Sequence, residues 1–220
     1  NRWRAPDRER RYSRMIAEHR QIAALVLAAG ESRRLGRPKQ LAQFRGQPLL
    51  RHVAQTALQS HCDRVIVTLG ANAGECRRVL ETLPLETLMV EDWREGMSAS
   101  IVAGATLAIS RTEISALLVT LCDQPLVTAA MLNRILAEYK NTGAPIVASE
   151  YAGVLGAPVL FARNVFADLM SLRGDRGARD LLTSQRHPIT CVSLPEAVCD
   201  IDTTADLERL QIDDVPTTSQ

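Results

Sequence analysis

Three stretches of the sequence hold residue types suited to handling a polyphosphate. The first runs Leu27-Ala28-Ala29-Gly30-Glu31-Ser32-Arg33-Arg34-Leu35-Gly36-Arg37-Pro38-Lys39, with three arginines and one lysine inside its last seven residues. Gly30 lets backbone amides approach phosphate oxygens without a side-chain clash. Arg34 offers a planar fork to such oxygens, and Lys39 a compact point charge. The second stretch is Leu121-Cys122-Asp123-Gln124-Pro125, at the end of an apolar run, where Pro125 fixes a turn. The third is Asp200-Ile201-Asp202-Thr203, whose alternation puts Asp200 and Asp202 on one side of an extended segment. A cationic loop and one or two carboxylates suit a nucleoside triphosphate. A hard divalent cation held by such carboxylates screens the phosphate charge and orients the reacting phosphorus. Taken singly, each stretch has a plainer reading: a solvated basic loop, a turn aspartate, a helix cap.

These stretches must be positioned by regular elements, and apolar runs alternate with helical patterns along the chain. Strands are expected at 22–29, 64–69, 85–90, 116–121, 145–148 and 189–193, with a strand pair over 150–162 around Gly153 and Gly156. Helices are expected at 48–59, 72–83, 98–109, 128–139, 165–170, 176–184 and 203–210. Asn72 and Thr128 are candidate N-caps, as is Ser98, and Thr203 or Asp202 could cap the last helix. The alternation predicts an α/β fold, Rossmann-like, with a mostly parallel, doubly wound sheet. Ligands of such sheets bind beyond the carboxyl ends of the strands, near a switch point. The loops after the first strand and after 116–121 are therefore the informative ones. A single domain is expected over 21–211. Residues 1–20, with seven arginines, read as a flexible basic extension, and 212–220 as a polar tail.

Composition narrows the function classes. The chain has 220 residues, 46% hydrophobic and 23% charged, with a net charge of +1. That is globular composition, and the charge balance argues against a general nucleic-acid binder. No apolar run reaches the roughly 18 residues of a membrane span. The five cysteines show no CxxC and no zinc spacing, which predicts buried thiols in a reducing, cytoplasmic setting. The four histidines form no recognisable triad or metal spacing. Of 26 basic residues only Lys39 and Lys140 are lysines, so the lysine closing the first loop stands out.

The string L-A-A-G-x-S-x-R-x-G-x-P-K over residues 27–39 resembles the signature of the MobA-like NTP transferases, above all their molybdenum cofactor cytidylyltransferase (MocA-type) branch. The resemblance runs over roughly 21–210 and implies a Mg²⁺-dependent transfer of a nucleoside monophosphate to a phosphorylated acceptor. It implies that Leu27, Ala28, Ala29, Gly30, Arg34 and Lys39 bind the nucleotide, with Lys39, Arg34 and Asp123 catalytic. Ala29 follows the LAAG form often associated with CTP. Residues 121–125 match the same branch, in which Asp123 is a metal ligand; Asp202 is the expected second ligand, with Asp200 the other candidate. The family form of that segment, D-I-D-T-P-E-D-L, has Thr204 and Ala205 here in place of Pro-Glu. Gly96-Met97-Ser98-Ala99-Ser100-Ile101 resembles a family string near the base and ribose, so Gly96, Ser98 and Ser100 join the nucleotide-binding set. Segments 153–161 and 174–182 also resemble the family. Gly156, Pro158 and Phe161 would shape the acceptor side, and Asp175, Arg176 and Arg179 form a charged turn whose arginines could meet the acceptor phosphate. Those arginines could equally make local ion pairs.

The expected reaction moves CMP from CTP to the phosphate of a molybdopterin-type cofactor and releases pyrophosphate. Alternatives are another NTP with a sugar or polyol phosphate, and a non-catalytic cofactor-binding protein serving a molybdoenzyme client. An oxidoreductase on a similar sheet is a further alternative. The loop matches neither the dinucleotide pattern G-x-G-x-x-G nor the P-loop pattern, which weighs against it.

Overall fold

The computed structural model describes residues 20–32, 38–198, 200, 201, 203, 205, 206 and 209. Arg34 and Asp202, most of the expected last helix, residues 1–19 and residues 210–220 lie outside the described residues. The central strand β1 (Gln21–Leu27) is the apolar run expected there, and Ala23 to Val26 are fully buried. A single 3₁₀ turn (Lys39–Leu41) and a two-residue hairpin, β2 (Gln43–Phe44) and β3 (Gln47–Pro48), lead into helix α1 (Leu49–Leu58). Then follow β4 (Arg64–Leu69), α2 (Ala73–Leu80), β5 (Glu86–Met89), α3 (Met97–Ser110), β6 (Ile114–Leu121) and α4 (Ala129–Thr142). The chain continues with β7 (Ile146–Tyr151), β8 (Val154–Ala162), α5 (Phe166–Met170), α6 (Arg179–Thr183) and β9 (Ile189–Ser193).

Seven strands form one sheet in the order β5-β4-β1-β6-β8-β7-β9. All neighbours are parallel except β8, which runs against both β6 and β7. Strand alternation divides the core between two faces. Ala23, Leu25 and Leu27 pack with Ile101, Ala105, Phe166 and Leu182, under α3, α5 and α6. Ala24 and Val26 pack with Leu50, Val53, Cys76 and Leu80, under α1 and α2. Leu118, Val147 and Leu160 meet Leu132, Ile135 and Leu136 of α4. Helix α3 is rich in small residues and lies close on β1; a methyl group on Gly104 would collide with the Leu25 side chain. Among the described residues, no helix is long and apolar enough to cross a membrane.

Two local expectations are corrected. Residues 146–162 form one hairpin of two strands, not a short strand followed by a pair. The turn falls at Ala152-Gly153, both at positive φ (49° and 75°), and Gly156 lies inside β8 opposite Ser149. Asn72 does not cap α2: its backbone is left-handed (φ 58°) and its side chain makes no capping bond. Thr128 does cap α4, its Oγ1 accepting from the Met131 amide at 3.3 Å.

Candidate active site

The loop leaving β1 is fastened from three sides. The buried Thr68 of β4 accepts the Ala28 amide at 3.2 Å and donates to the Val26 carbonyl at 3.3 Å. The Ala71 amide donates to the Ala29 carbonyl at 2.9 Å. Gln40, only 2% exposed, sends its Nε2 to the carbonyls of Ala28 (2.9 Å) and Gly30 (2.6 Å). Ser32 Oγ donates to Gln40 Oε1 at 3.2 Å and accepts the Lys39 amide at 3.1 Å. The loop carbonyls are thus satisfied by the protein, while the Ala29 and Gly30 amides take no part in these bonds. Gln40 was not singled out from the sequence.

Strand β6 delivers the carboxylate. The Cys122 amide donates to the Leu27 carbonyl at 3.1 Å, so the chain leaves β6 directly beside the end of β1. Lys39 Nζ donates to Asp123 Oδ2 at 2.8 Å and to the Ile201 carbonyl at 3.0 Å. The Ile201 amide in turn donates to the Asp123 carbonyl at 2.9 Å, and buried Gln124 donates from Nε2 to the Ala197 carbonyl at 3.2 Å. The segment after β9 is therefore pinned to the β6 turn. Asp123 Oδ1 is buried and has no hydrogen-bond partner among the described residues. A carboxylate oxygen so placed keeps lone pairs available to a hard cation. Burial, with Asp123 next in effect, pushes the neighbouring Cys122 thiol well above its ordinary range, so it stays neutral beside this charge pair. Among the described residues, no three His, Cys, Asp or Glu side chains converge on one point.

These groups open onto a cavity of about 450 Å³. Of the residues singled out in the sequence, Leu27, Ala28, Ala29, Gly30, Lys39, Gly96, Ser100, Asp123 and Asp175 line it. Glu31, Ser32, Gln40, Trp93, Arg94 and Met97 line it too and were not foreseen as site residues. Gly96 has φ 103°, and a methyl group there would collide with Asp175; the Ser98 amide also donates to the Gly174 carbonyl at 3.1 Å. These contacts bring the 174–175 turn to the cavity wall. Gly70 lets Trp93 close down on the β1 loop: a methyl group there would sit 2.7 Å from both the Ala29 carbonyl oxygen and Trp93 Cβ. The Arg94 guanidinium stacks 4.3 Å from the Trp93 ring centroid.

Other expected site residues lie elsewhere. Ser98 is buried in α3, is not its N-cap, and lines a separate cavity against β5, so it does not reach this site. Asp200 is exposed and does not line the cavity. Gly156 and Pro158 lie on β8 at the same end of the sheet as Asp123, yet outside the cavity. A methyl group on Gly156 would strike the Tyr151 hydroxyl, and the Pro158 carbonyl accepts from Ser149 Oγ at 2.6 Å. Phe161 is fully buried in the core and shapes no surface. Arg176 is exposed and pairs with Asp180 at 3.0 Å, the local ion pair that was one of its two readings. Arg179 is exposed at the start of α6.

With this geometry in view, the comparisons with known proteins are consistent. Residues 24–189 match the family described as MobA-like NTP transferase domain. The chain belongs to the MobA-like NTP transferase family. It is a nucleotidyltransferase of that family, and its relatives carry diverse names. It is 30% identical to the nicotine blue oxidoreductase of Paenarthrobacter nicotinovorans, over 86% of this chain and 96% of that protein. It is 30% identical to a molybdenum cofactor guanylyltransferase of Shewanella piezotolerans, over 59% of this chain and 60% of that one. The solved structure of Rv0371c from Mycobacterium tuberculosis H37Rv superposes with a TM-score of 0.76 at 35% identity, covering 87% of this chain and 98% of its own. A structure of Rv0371c in complex with manganese superposes at 0.73.

Proposed function

We propose that this MobA-like transferase moves CMP from CTP to the phosphate of a molybdopterin-type cofactor, releasing pyrophosphate. The observation that carries the proposal is the Lys39–Asp123 pair, held at the mouth of a loop whose carbonyls are already bonded. Lys39 sets a positive charge against the triphosphate, and the amides of the Ala29-Gly30 turn donate to its oxygens. An acceptor phosphate oxygen attacks the α-phosphorus, the bond to the β-phosphate oxygen breaks, and pyrophosphate leaves with the electron pair. Asp123 Oδ1, with Asp202 as second ligand, would hold Mg²⁺, which supplies charge screening across the phosphates. The manganese complex of Rv0371c supports a divalent ion in this family. Positioning and electrostatics suffice for such a transfer, so no covalent enzyme intermediate is required. The LAAG form at residues 27–30 supports CTP as donor, and the guanylyltransferase relative supports a molybdenum cofactor acceptor.

The nicotine blue oxidoreductase relative favours a second reading, an oxidoreductase. A matrix of the four NTPs against molybdopterin cofactor, sugar phosphates and polyol phosphates, read by pyrophosphate release, separates the two. The proposal expects release with CTP and the molybdopterin cofactor. No release in any combination, together with NADH or NADPH consumption on nicotine blue, establishes the second reading instead.

A further inference from the structure

Trp93 and Arg94 have no part in the scheme above, yet both line the cavity. Their place in it follows from the sheet. Lys39 and Asp123 stand at the β6 side of β1, whereas Trp93 packs against Gly70 at the end of β4, on the other side of β1. Two strand spacings, roughly 10 Å, separate those positions. A nucleotide whose phosphates lie at Lys39 and Asp123 therefore sends its base toward Trp93 and Arg94. Trp93 packs so closely on Gly70 that a methyl group there would strike it, and the Arg94 guanidinium lies 4.3 Å from its ring centroid. Arg94 is exposed and lines the cavity, and among the described residues its contact is this stacking on Trp93, so its fork of N–H donors has no acceptor among them.

We infer that Arg94, held over the Trp93 ring, selects the nucleobase by donating two parallel hydrogen bonds to adjacent acceptors on its edge. The inference rests on the reading that a nucleoside triphosphate occupies this cavity. Cytosine presents O2 beside N3, and guanine presents O6 beside N7; uracil and adenine present no such pair. Arg94 thus admits cytosine or guanine nucleotides and disfavours the other two. A bidentate contact of this type discriminates by about 10-fold or more. The pair was hidden in the sequence because Trp93 and Arg94 are more than fifty residues away from the loop they face.

The chain has two tryptophans, Trp3 and Trp93, so Trp3→Phe leaves Trp93 as the sole indole reporter. Full-length Trp3→Phe protein is titrated with CMP, GMP, UMP, AMP and inorganic tripolyphosphate, read by Trp93 fluorescence and independently by calorimetry. The expected result is about 10-fold or tighter binding of CMP or GMP over UMP and AMP. Arg94→Ala and Arg94→Lys in that background should abolish this gap and leave tripolyphosphate affinity unchanged. A gap that survives Arg94→Ala, or an equal loss of tripolyphosphate affinity, overturns the inference, the latter by making Arg94 a phosphate contact. Absence of any nucleotide binding overturns both the inference and the proposed function. Selective nucleotide binding without product formation overturns only the proposed function.

Discussion

On the β4-β1-β6 side of the site, Thr68, Gln40 and Gln124 are buried and bonded to backbone. Thr68, Gln40 and Gln124 each tie a loop or turn to its neighbour, and Lys39 reaches across to Asp123 and the Ile201 carbonyl. On the β8-β7 side, Arg176, Arg179 and Asp200 are exposed, and Arg176 makes a local ion pair with Asp180. The two sides thus differ in how far their polar groups are buried and bonded. A preassembled network suits the part of the reaction in which charge develops, because donors already in place need no reorganisation. The open side suits an acceptor selected by its own shape and phosphate.

The largest effect should come from breaking the charged pair. Lys39→Ala is expected to lower turnover by about 10²-fold or more, the usual cost of removing a charge-stabilising donor. Steady-state pyrophosphate release checks it, and near-normal turnover would remove Lys39 from the chemistry. Gln40→Ala should act on the network itself. It unbonds two loop carbonyls, so urea unfolding should show a loss of about 1–3 kcal/mol. An unchanged unfolding midpoint would mean the loop is fastened by something else. Arg179→Ala probes the open side. If Arg179 meets the acceptor phosphate, the acceptor KM rises about 10-fold, the equivalent of one charge-assisted hydrogen bond, while the NTP KM holds. Equal rises in both constants would place Arg179 on the nucleotide side instead. The smallest effect belongs to Arg176→Ala, whose ion pair with Asp180 is well exposed. Its stability should move by no more than about 0.5 kcal/mol, and a larger shift in urea unfolding would show the turn to be less open than its exposure suggests.

Much of the network side was legible because its signals are local. A continuous apolar run dictates β1, and the Asp123-Gln124-Pro125 turn follows from a proline ending a strand pattern. Gln40 was not legible, since a glutamine buried by bonding two carbonyls looks like any surface glutamine until the loop is folded around it. Trp93 and Arg94 were missed for a related reason: their role depends on Gly70, a glycine with ordinary turn context in sequence. Asn72 misled because cap preference assumes an extended backbone, whereas its backbone here is left-handed at φ 58°. On the open side, sequence resemblance put Phe161 at the surface, but strand alternation with β6 buries it beside Leu117.

The central claim is that a nucleoside monophosphate is joined to a phosphorylated acceptor between Lys39 and Asp123. Mass spectrometry of the product formed with CTP and GTP in competition, given purified molybdenum cofactor and Mg²⁺, tests it most directly. The account predicts a cofactor–CMP dinucleotide from the wild-type protein and its loss in Lys39→Ala. Cofactor recovered unmodified from the wild-type reaction, or a GMP adduct in place of the CMP one, would contradict it.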